Sequence, residues 1–241
     1  MRISTIIPAY NEERLIGETL RRVREAQSAF TGRGWETELI VCDNNSCDRT
    51  AAIAAAAGAT VVFEPVNQIA RARNSGAAAA TGDWLVFVDA DSHPDVGLFD
   101  AVANAIASGR CIAGGSTVRI EGVNRKAAAA TALWNRISRA LSWAAGSFIF
   151  CDAAVFRQIG GFNSELFASE EIDLSRRLKR VARAQGRKLV ILNQHPISTS
   201  PRKLDLYSGW ELLGFLLRTV LTGGRTLRDR NACFTWYDGR R

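Results

Sequence analysis

Trp84-Leu85-Val86-Phe87-Val88-Asp89-Ala90-Asp91 is the stretch on which the reading of this chain turns. Five apolar residues, four of them aromatic or β-branched, read as a strand buried on both faces, the type found in parallel sheets. Two carboxylates two residues apart follow where the strand ends. Without a cation they repel each other. Mg²⁺ or Mn²⁺ bridging them to phosphate oxygens relieves the repulsion and stabilises a departing diphosphate. The same letters also suit a polar turn in which Asp91 and Ser92 cap a following helix.

Working outward, the pattern before this strand alternates regularly. Ile3–Pro8, Glu38–Cys42 and Thr60–Phe63 are short apolar, β-branched runs. Between them lie helical stretches: one carrying Leu15, Leu20 and Val23, then Thr50–Ala57, then Ile69–Ala80, with Gly32, Gly34, Gly58 and Gly82 as punctuation. Strands alternating with helices predict an α/β fold, a mostly parallel central sheet with helices on both faces. After Asp91 the pattern loosens. It predicts helices at Val96–Ser108, Lys126–Ala145, Glu171–Ala184 and Tyr207–Leu221, strands at Ile112–Ile120 and Lys188–Leu192, and an apolar run at Phe148–Phe156. There is no internal repeat and no linker, so residues 1–241 read as one domain with two functional halves, 1–95 and 96–241.

Composition narrows the classes. Of 241 residues 47% are hydrophobic, enough for a substantial core. The net charge of +7 points to an anionic partner. The basic residues are dispersed without an aromatic stacking motif, which disfavours nucleic acid. Five cysteines, odd in number and without a C-x-x-C pair, fit reduced thiols in a cytoplasmic protein. Met1-Arg2-Ile3-Ser4 runs straight into a strand pattern, leaving no room for a signal peptide, and no stretch of about 18 apolar residues exists to span a bilayer.

In an open α/β sheet, ligands bind beyond the carboxyl ends of the strands. After the first strand comes Pro8-Ala9-Tyr10-Asn11-Glu12-Glu13, neither a glycine-rich phosphate loop nor a Walker sequence. The proline and tyrosine suit a stiff ledge beside a base, and Asn11 equally suits a helix N-cap. Asp43, after the second strand, can accept from a ribose hydroxyl or a base N–H, and also suits any turn. Gly160-Gly161-Phe162 precedes Ser169-Glu170-Glu171-Ile172-Asp173-Leu174. Those carboxylates either complement a helix dipole behind an N-cap at Ser169 or supply a general base. Arg202 and Lys203 lie on a loop that either closes over a diphosphate or is a solvated turn. The closing helix, with Leu206, Trp210, Leu213 and Leu217 near one face, packs on the sheet or rests on a membrane surface.

Taken in order, these pieces resemble the family 2 glycosyltransferases, an inverting group with the GT-A fold. The match runs from Ile3 to about Leu174 and includes Asp43 with Ser46 and Asp48, Ala72-Arg73-Asn74 with Gly76, Gly82-Asp83, and Asp89-Ala90-Asp91. The resemblance implies a nucleotide-sugar donor, UDP-linked in preference to GDP-linked, and a saccharide or lipid-linked acceptor. It implies that Pro8, Ala9, Tyr10, Glu12 and Asp43 hold the nucleoside, and that Arg71 and Arg73 reach base or phosphates. Asp89 and Ala90 would face the donor, with Asp89 and Asp91 on Mn²⁺ or Mg²⁺. The family's usual Glu-Asp pair falls on Glu170-Glu171, so the catalytic base is Glu171, one methylene longer than the usual aspartate. Relatives often carry a histidine ligand near the position of Thr199 or Ser200; His195 is the nearby alternative. The implied location is cytoplasmic, with the inner face of a membrane as a peripheral site. A nucleotidyltransferase is disfavoured by the lack of a basic glycine-rich first loop. A catalytically silent relative of the same fold is the remaining alternative.

Overall fold

A computed structural model describes residues 1–120, 122–201 and 225–233. The elements run β1 (Arg2–Ala9), α1 (Ile16–Thr31), β2 (Glu36–Asp43), α2 (Thr50–Ala56), β3 (Thr60–Phe63), α3 (Ile69–Ala79) and β4 (Trp84–Val88). They continue β5 (Ser92–His93), α4 (Val96–Ala107), β6 (Cys111–Ile120), α5 (Arg125–Leu141), β7 (Phe148–Asp152), α6 (Ala153–Gln158), α7 (Glu170–Ala184) and β8 (Lys188–Thr199), and a 3₁₀ turn covers Arg225–Arg228. One sheet holds all eight strands in the order β3-β2-β1-β4-β7-β6-β8-β5.

The first four strands pair in parallel, as the alternating pattern predicts. Beyond β4 the sheet is mixed: β7 runs antiparallel to β4 and β6, β8 parallel to β6, and β5 antiparallel to β8. Successive side chains of a strand face opposite ways, and this sorts the core into two layers. Ile3, Ile7, Val86 and Val88 pack with Leu20, Val23, Phe30 and Phe99 of α1 and α4. Ile6, Leu85 and Phe87 pack with Ala70 and Ala77 of α3, Phe156 of α6 and Leu174 of α7. Helices therefore cover both faces. Gly76 lets α3 lie close on β1, since a Cβ there would stand 2.5 Å from Ile6 Cγ2.

Three local expectations need correction, and one apolar run resolves into two elements. The apolar run at 148–156 divides into two elements: Asp152 ends β7, and its Oδ1 accepts from the N–H groups of Ala154 and Val155, opening α6. β8 runs past Leu192 to Thr199, because after a bulge its pairing with β6 resumes at Val118↔Ile197. The helix expected to reach Ala145 stops at Leu141, where Ser142 takes a left-handed conformation with φ 48°. Asp91 and Ser92 do not cap a helix; Ser92 enters β5, and Asp95 caps α4 by accepting from Leu98 N–H at 2.6 Å. All five cysteines are unpaired. Among the described residues no helix is long and apolar enough to cross a membrane. Arg202, Lys203 and the helix expected at Tyr207–Leu221 lie outside the described residues.

Candidate active site

The carboxyl ends of β1, β2 and β4 lie side by side, with Ala9 opposite Asp43 in the β1–β2 register. Two loops there are stitched together. Asn11, held at φ 52°, accepts from Cys47 N–H at 2.9 Å, and its own N–H donates to Ser46 Oγ. Glu12 N–H donates to Thr50 Oγ1 and Glu13 N–H to Asp48 Oδ2. Asn11 is thus not the N-cap of α1, a position occupied by Leu15. Asp43 is buried at the end of β2, where its Oδ1 accepts from Ser46 N–H at 3.1 Å. Pro8 and Ala9 are buried, Tyr10 is half-buried, and Glu12 is buried. The result is a braced cleft floor at the strand ends, where the sequence puts the nucleoside.

Asp89, Ala90 and Asp91 form a tight turn, with Ser92 N–H donating to Asp89 O. Three other elements fix it. Thr19 of α1 donates to Ala90 O at 2.6 Å, Asp89 N–H donates to Ser147 O, and Ser200 N–H donates to Asp91 O. The last bond locates the end of β8: Thr199 and Ser200 lie against Asp91, while His195 is several residues back along the strand. His195 Nδ1 stands 3.7 Å from Asp95 Oδ2, and its ring packs on Gly97, where a Cβ would come within 2.4 Å. The histidine is a packing partner of α4, away from the carboxylate pair.

Arg73 organises the rest. It is 1% exposed, and its guanidinium donates from Nη1 to Glu170 Oε1 at 2.6 Å and from Nη2 to Asp89 Oδ1 and Gly146 O, each at 2.8 Å. Its Cζ lies 5.1 Å from the Phe162 ring centre. A buried cation of this kind is held by paired carboxylates, and the carboxylates by it. Arg73 therefore ties the turn after β4 to the start of α7. Its three hydrogen bonds all go to protein groups. Arg71, two residues earlier on α3, is exposed, and its Nε donates to Gln68 Oε1 at 3.1 Å.

Glu171 is drawn into the same cluster. A Cβ at Gly146 would lie 3.7 Å from Glu171 Cδ and 3.3 Å from Arg73 Nη2. Burial, together with the neighbouring Glu170 charge, pushes the Glu171 carboxyl up to about 8. Asp173 faces away and pairs with Arg177 at 2.7 Å. Ser169 precedes α7 in the left-handed region at φ 61° and makes no side-chain cap bond, so the helix-capping reading of this segment is not what positions it.

Two residues carry roles that the sequence reading gave to neither. Glu170 is the buried counter-ion of Arg73. Asn74 clamps the Gly160–Phe162 turn, donating from Nδ2 to Phe162 O at 2.8 Å and accepting from Phe162 N–H at 2.9 Å. Gly161 there has φ 66°, and a Cβ on it would come 2.5 Å from Asn74 Oδ1. The adjacency of Arg73 and Asn74 was the available clue: consecutive helix positions point about 100° apart, so the pair can serve two neighbouring loops.

Residues 4–159 match the sequence model of Glycosyl transferase family 2. The chain belongs to that family. A 55-residue segment is 51% identical to a TPR repeat-containing protein of Synechococcus elongatus, covering 22% of this chain and 14% of that one. A 95-residue segment is 34% identical to an uncharacterized glycosyltransferase of Mycobacterium tuberculosis, covering 39% of each. The chain thus spans well under two thirds of these curated relatives. Among solved structures, the mannosyltransferase of Pyrobaculum calidifontis in complex with GDP-Man and Mn²⁺ superposes with a TM-score of 0.67 at 20% identity, covering 94% of this chain and 62% of that one. Glucosyl-3-phosphoglycerate synthase of M. tuberculosis, with Mn²⁺, UDP and glucosyl-3-phosphoglycerate, gives 0.61 at 20% identity, covering 98% and 80%. These likenesses establish the GT-A fold.

Proposed function

We propose that this protein transfers a sugar from a nucleoside-diphosphate sugar, UDP-linked in preference to GDP-linked, onto an acceptor hydroxyl with inversion. The observation that carries the reading is the convergence of Asp89, Glu170 and Glu171 around the buried Arg73, at the strand ends where Asp43 and the first loop also lie. Residues 1–95 would hold the donor and residues 96–241 the acceptor.

The donor set fits a divalent cation. Such an ion, Mg²⁺ or Mn²⁺, binds through one or two carboxylates and completes its shell with water and substrate phosphates. Asp89 and Asp91 would hold it, and when bound it supplies charge that stabilises the leaving diphosphate. Arg73 keeps Asp89 turned toward the cleft. Glu171 accepts the acceptor hydroxyl proton as that oxygen attacks the anomeric carbon, and the bond to the diphosphate oxygen breaks on the opposite side. A carboxyl held near neutrality is suited to this work, since it accepts a proton at moderate pH and holds it.

An open groove of about 360 Å³ borders the start of α7, lined by Trp143, Ser169, Asp173 and Arg176. Arg176 lies over the Trp143 ring at 5.3 Å. The groove's aromatic wall suits an acceptor saccharide.

The test is release of nucleoside diphosphate from UDP- and GDP-sugars, with Glu171→Gln as the diagnostic variant. Loss of a general base lowers turnover by roughly 10²- to 10⁴-fold, while donor affinity by calorimetry stays near wild type. A wild-type protein that binds donor and releases no diphosphate with any acceptor would instead be a silent relative of the fold.

A further inference from the structure

A groove of about 450 Å³ runs between helix α5 and the strands β6 and β8. Its helical wall is made by Ala128, Thr131, Ala132, Asn135, Arg136 and Arg139. At about 100° per residue these six span an arc of about 140°, so they share one face of α5. The exposed apolar side chains of the helix, Leu133, Ile137 and Leu141, fall outside that arc. Ala128 and Ala132 carry one methyl each, so the helix does not fill the space between itself and the strands.

One side chain clamps the two walls together. Asn135 Nδ2 donates to Val118 O at 2.8 Å, and its Oδ1 accepts from Val118 N–H at 2.9 Å. β7 pairs with β6 only over Ala113–Gly115, so at Val118 the asparagine takes the place of a strand neighbour. Arg119 and Arg136 are the residues next in sequence to the two partners of this clamp. Arg139, three positions on from Arg136, neighbours it along the helix. The clamp thus gathers three guanidinium groups from two elements into one groove.

These charges are not balanced by the protein. None of the three arginines forms an ion pair with a carboxylate of the described residues, and no carboxylate lines the groove. Residues 122–151 contain not a single Asp or Glu. Arginines elsewhere on the surface differ: Arg21 and Arg22 pair with Glu18, and Arg33 with Asp100. Like charges gathered in this way repel one another, and an anion between them relieves the repulsion. A phosphate ester brings about −1.5 to −2 near neutral pH, against a single charge on a carboxylate. Its oxygens also match the planar guanidinium fork two at a time.

We propose that the groove between α5 and β6/β8 binds a soluble phosphate ester, its phosphate held by Arg119, Arg136 and Arg139. The arginines lie on a different side of α5 from the exposed leucines and isoleucine, so a bilayer against those residues would not present headgroups to them. The site is separate from the carboxylate cluster and does not depend on the transferase reading. It lies at the same end of the sheet. Ile120 in the groove wall pairs with Thr199, and the next residue, Ser200, donates its N–H to Asp91 O at 3.1 Å.

The test is calorimetric titration of the full chain with inorganic phosphate and with glucose 6-phosphate. EDTA is present, so that no metal-bridged site contributes. Both should bind, more weakly as salt rises, and acetate should bind at least tenfold more weakly. Arg119→Gln, Arg136→Gln and Arg139→Gln should each weaken phosphate binding roughly tenfold, the loss of one charge-assisted hydrogen bond. The three positions are exposed, so their melting temperatures should match wild type. Arg183→Gln removes the same charge from an exposed site in the last turn of α7 and should change nothing. Arg136→Lys should recover only part of the affinity, because an ammonium lacks the fork. Phosphate that does not bind, or binds equally well to the three arginine variants, would overturn the proposal. So would an equal loss in Arg183→Gln, which would mean that net charge and not a site attracts the anion. Binding to phosphatidic acid vesicles with none to glucose 6-phosphate would also overturn it, since the ligand would then be a lipid headgroup.

Discussion

Arg73 and Glu170 form a salt bridge with a 2.6 Å contact, the arginine 1% and the glutamate 5% exposed by side chain. They are 97 residues apart in sequence and join α3 to α7. Breaking a buried pair by removing one partner leaves the other charge uncompensated, which costs about 3–5 kcal/mol. Arg73→Met should therefore destabilise the fold by that order in urea denaturation. Arg73→Lys should recover only part of it, because an ammonium cannot present the planar fork that reaches Glu170, Asp89 and Gly146 together. A lysine variant as stable as wild type would mean that charge alone, without the fork, holds the cluster.

Asn74 makes a different kind of bridge, two neutral hydrogen bonds to the backbone of Phe162. Asn74→Ala leaves that N–H and C=O in a half-buried setting without their partner, for about 1–3 kcal/mol. The Phe162 ring packs on Phe87, on Phe156 and beneath Arg73, so a loosened turn should also disturb the carboxylates. Urea denaturation and donor titration of the same variant should show both effects. A loss of stability with donor binding untouched would confine Asn74 to a structural role.

How much of this was legible beforehand follows from the range of the forces involved. The parallel half of the sheet was readable because β1 to β4 are short buried runs whose own residues declare them. The turn Asp89-Ala90-Asp91 was readable as a turn because charged residues break off the apolar run where β4 ends. The mixed half was not. Whether Ile197 resumes pairing with Val118 depends on a bulge between strands some 80 residues apart, and no local pattern encodes it. The pairing of Arg73 with Glu170 was hidden for a similar reason, since the two lie 97 residues apart and only the fold brings them together.

The carboxylate turn gives a prediction with a built-in control. Asp91→Asn should abolish divalent-dependent binding of a nucleoside diphosphate while leaving the melting temperature within a few degrees of wild type. His195→Ala should leave that binding and its Mn²⁺ dependence unchanged, because the imidazole packs against Gly97 and Asp95. Calorimetry with and without Mn²⁺ separates the two. If His195→Ala lost the Mn²⁺ dependence instead, the end of β8 would have to rearrange on ligand binding.

Glu171 makes the protein's stability depend on pH in a direction opposite to most carboxylates. Its folded-state value is about 8, above the ordinary 4.5, because burial and the Glu170 charge disfavour the ionised form. Between those values the folded protein keeps a proton that the unfolded chain has released. Stability from this group is therefore fully present below about 4.5 and lost as pH rises through about 8. Glu171→Gln cannot ionise and so lacks this loss. All other titrating groups are shared by the two proteins, so the difference between their melting temperatures isolates the one carboxyl. That difference, variant minus wild type, should grow more positive from pH 5 to pH 9, with most of the change complete near pH 8. A difference that stays flat across the range would mean that Glu171 ionises as readily in the folded protein as in the unfolded chain, and it would remove the physical basis for its poise as a base near neutral pH.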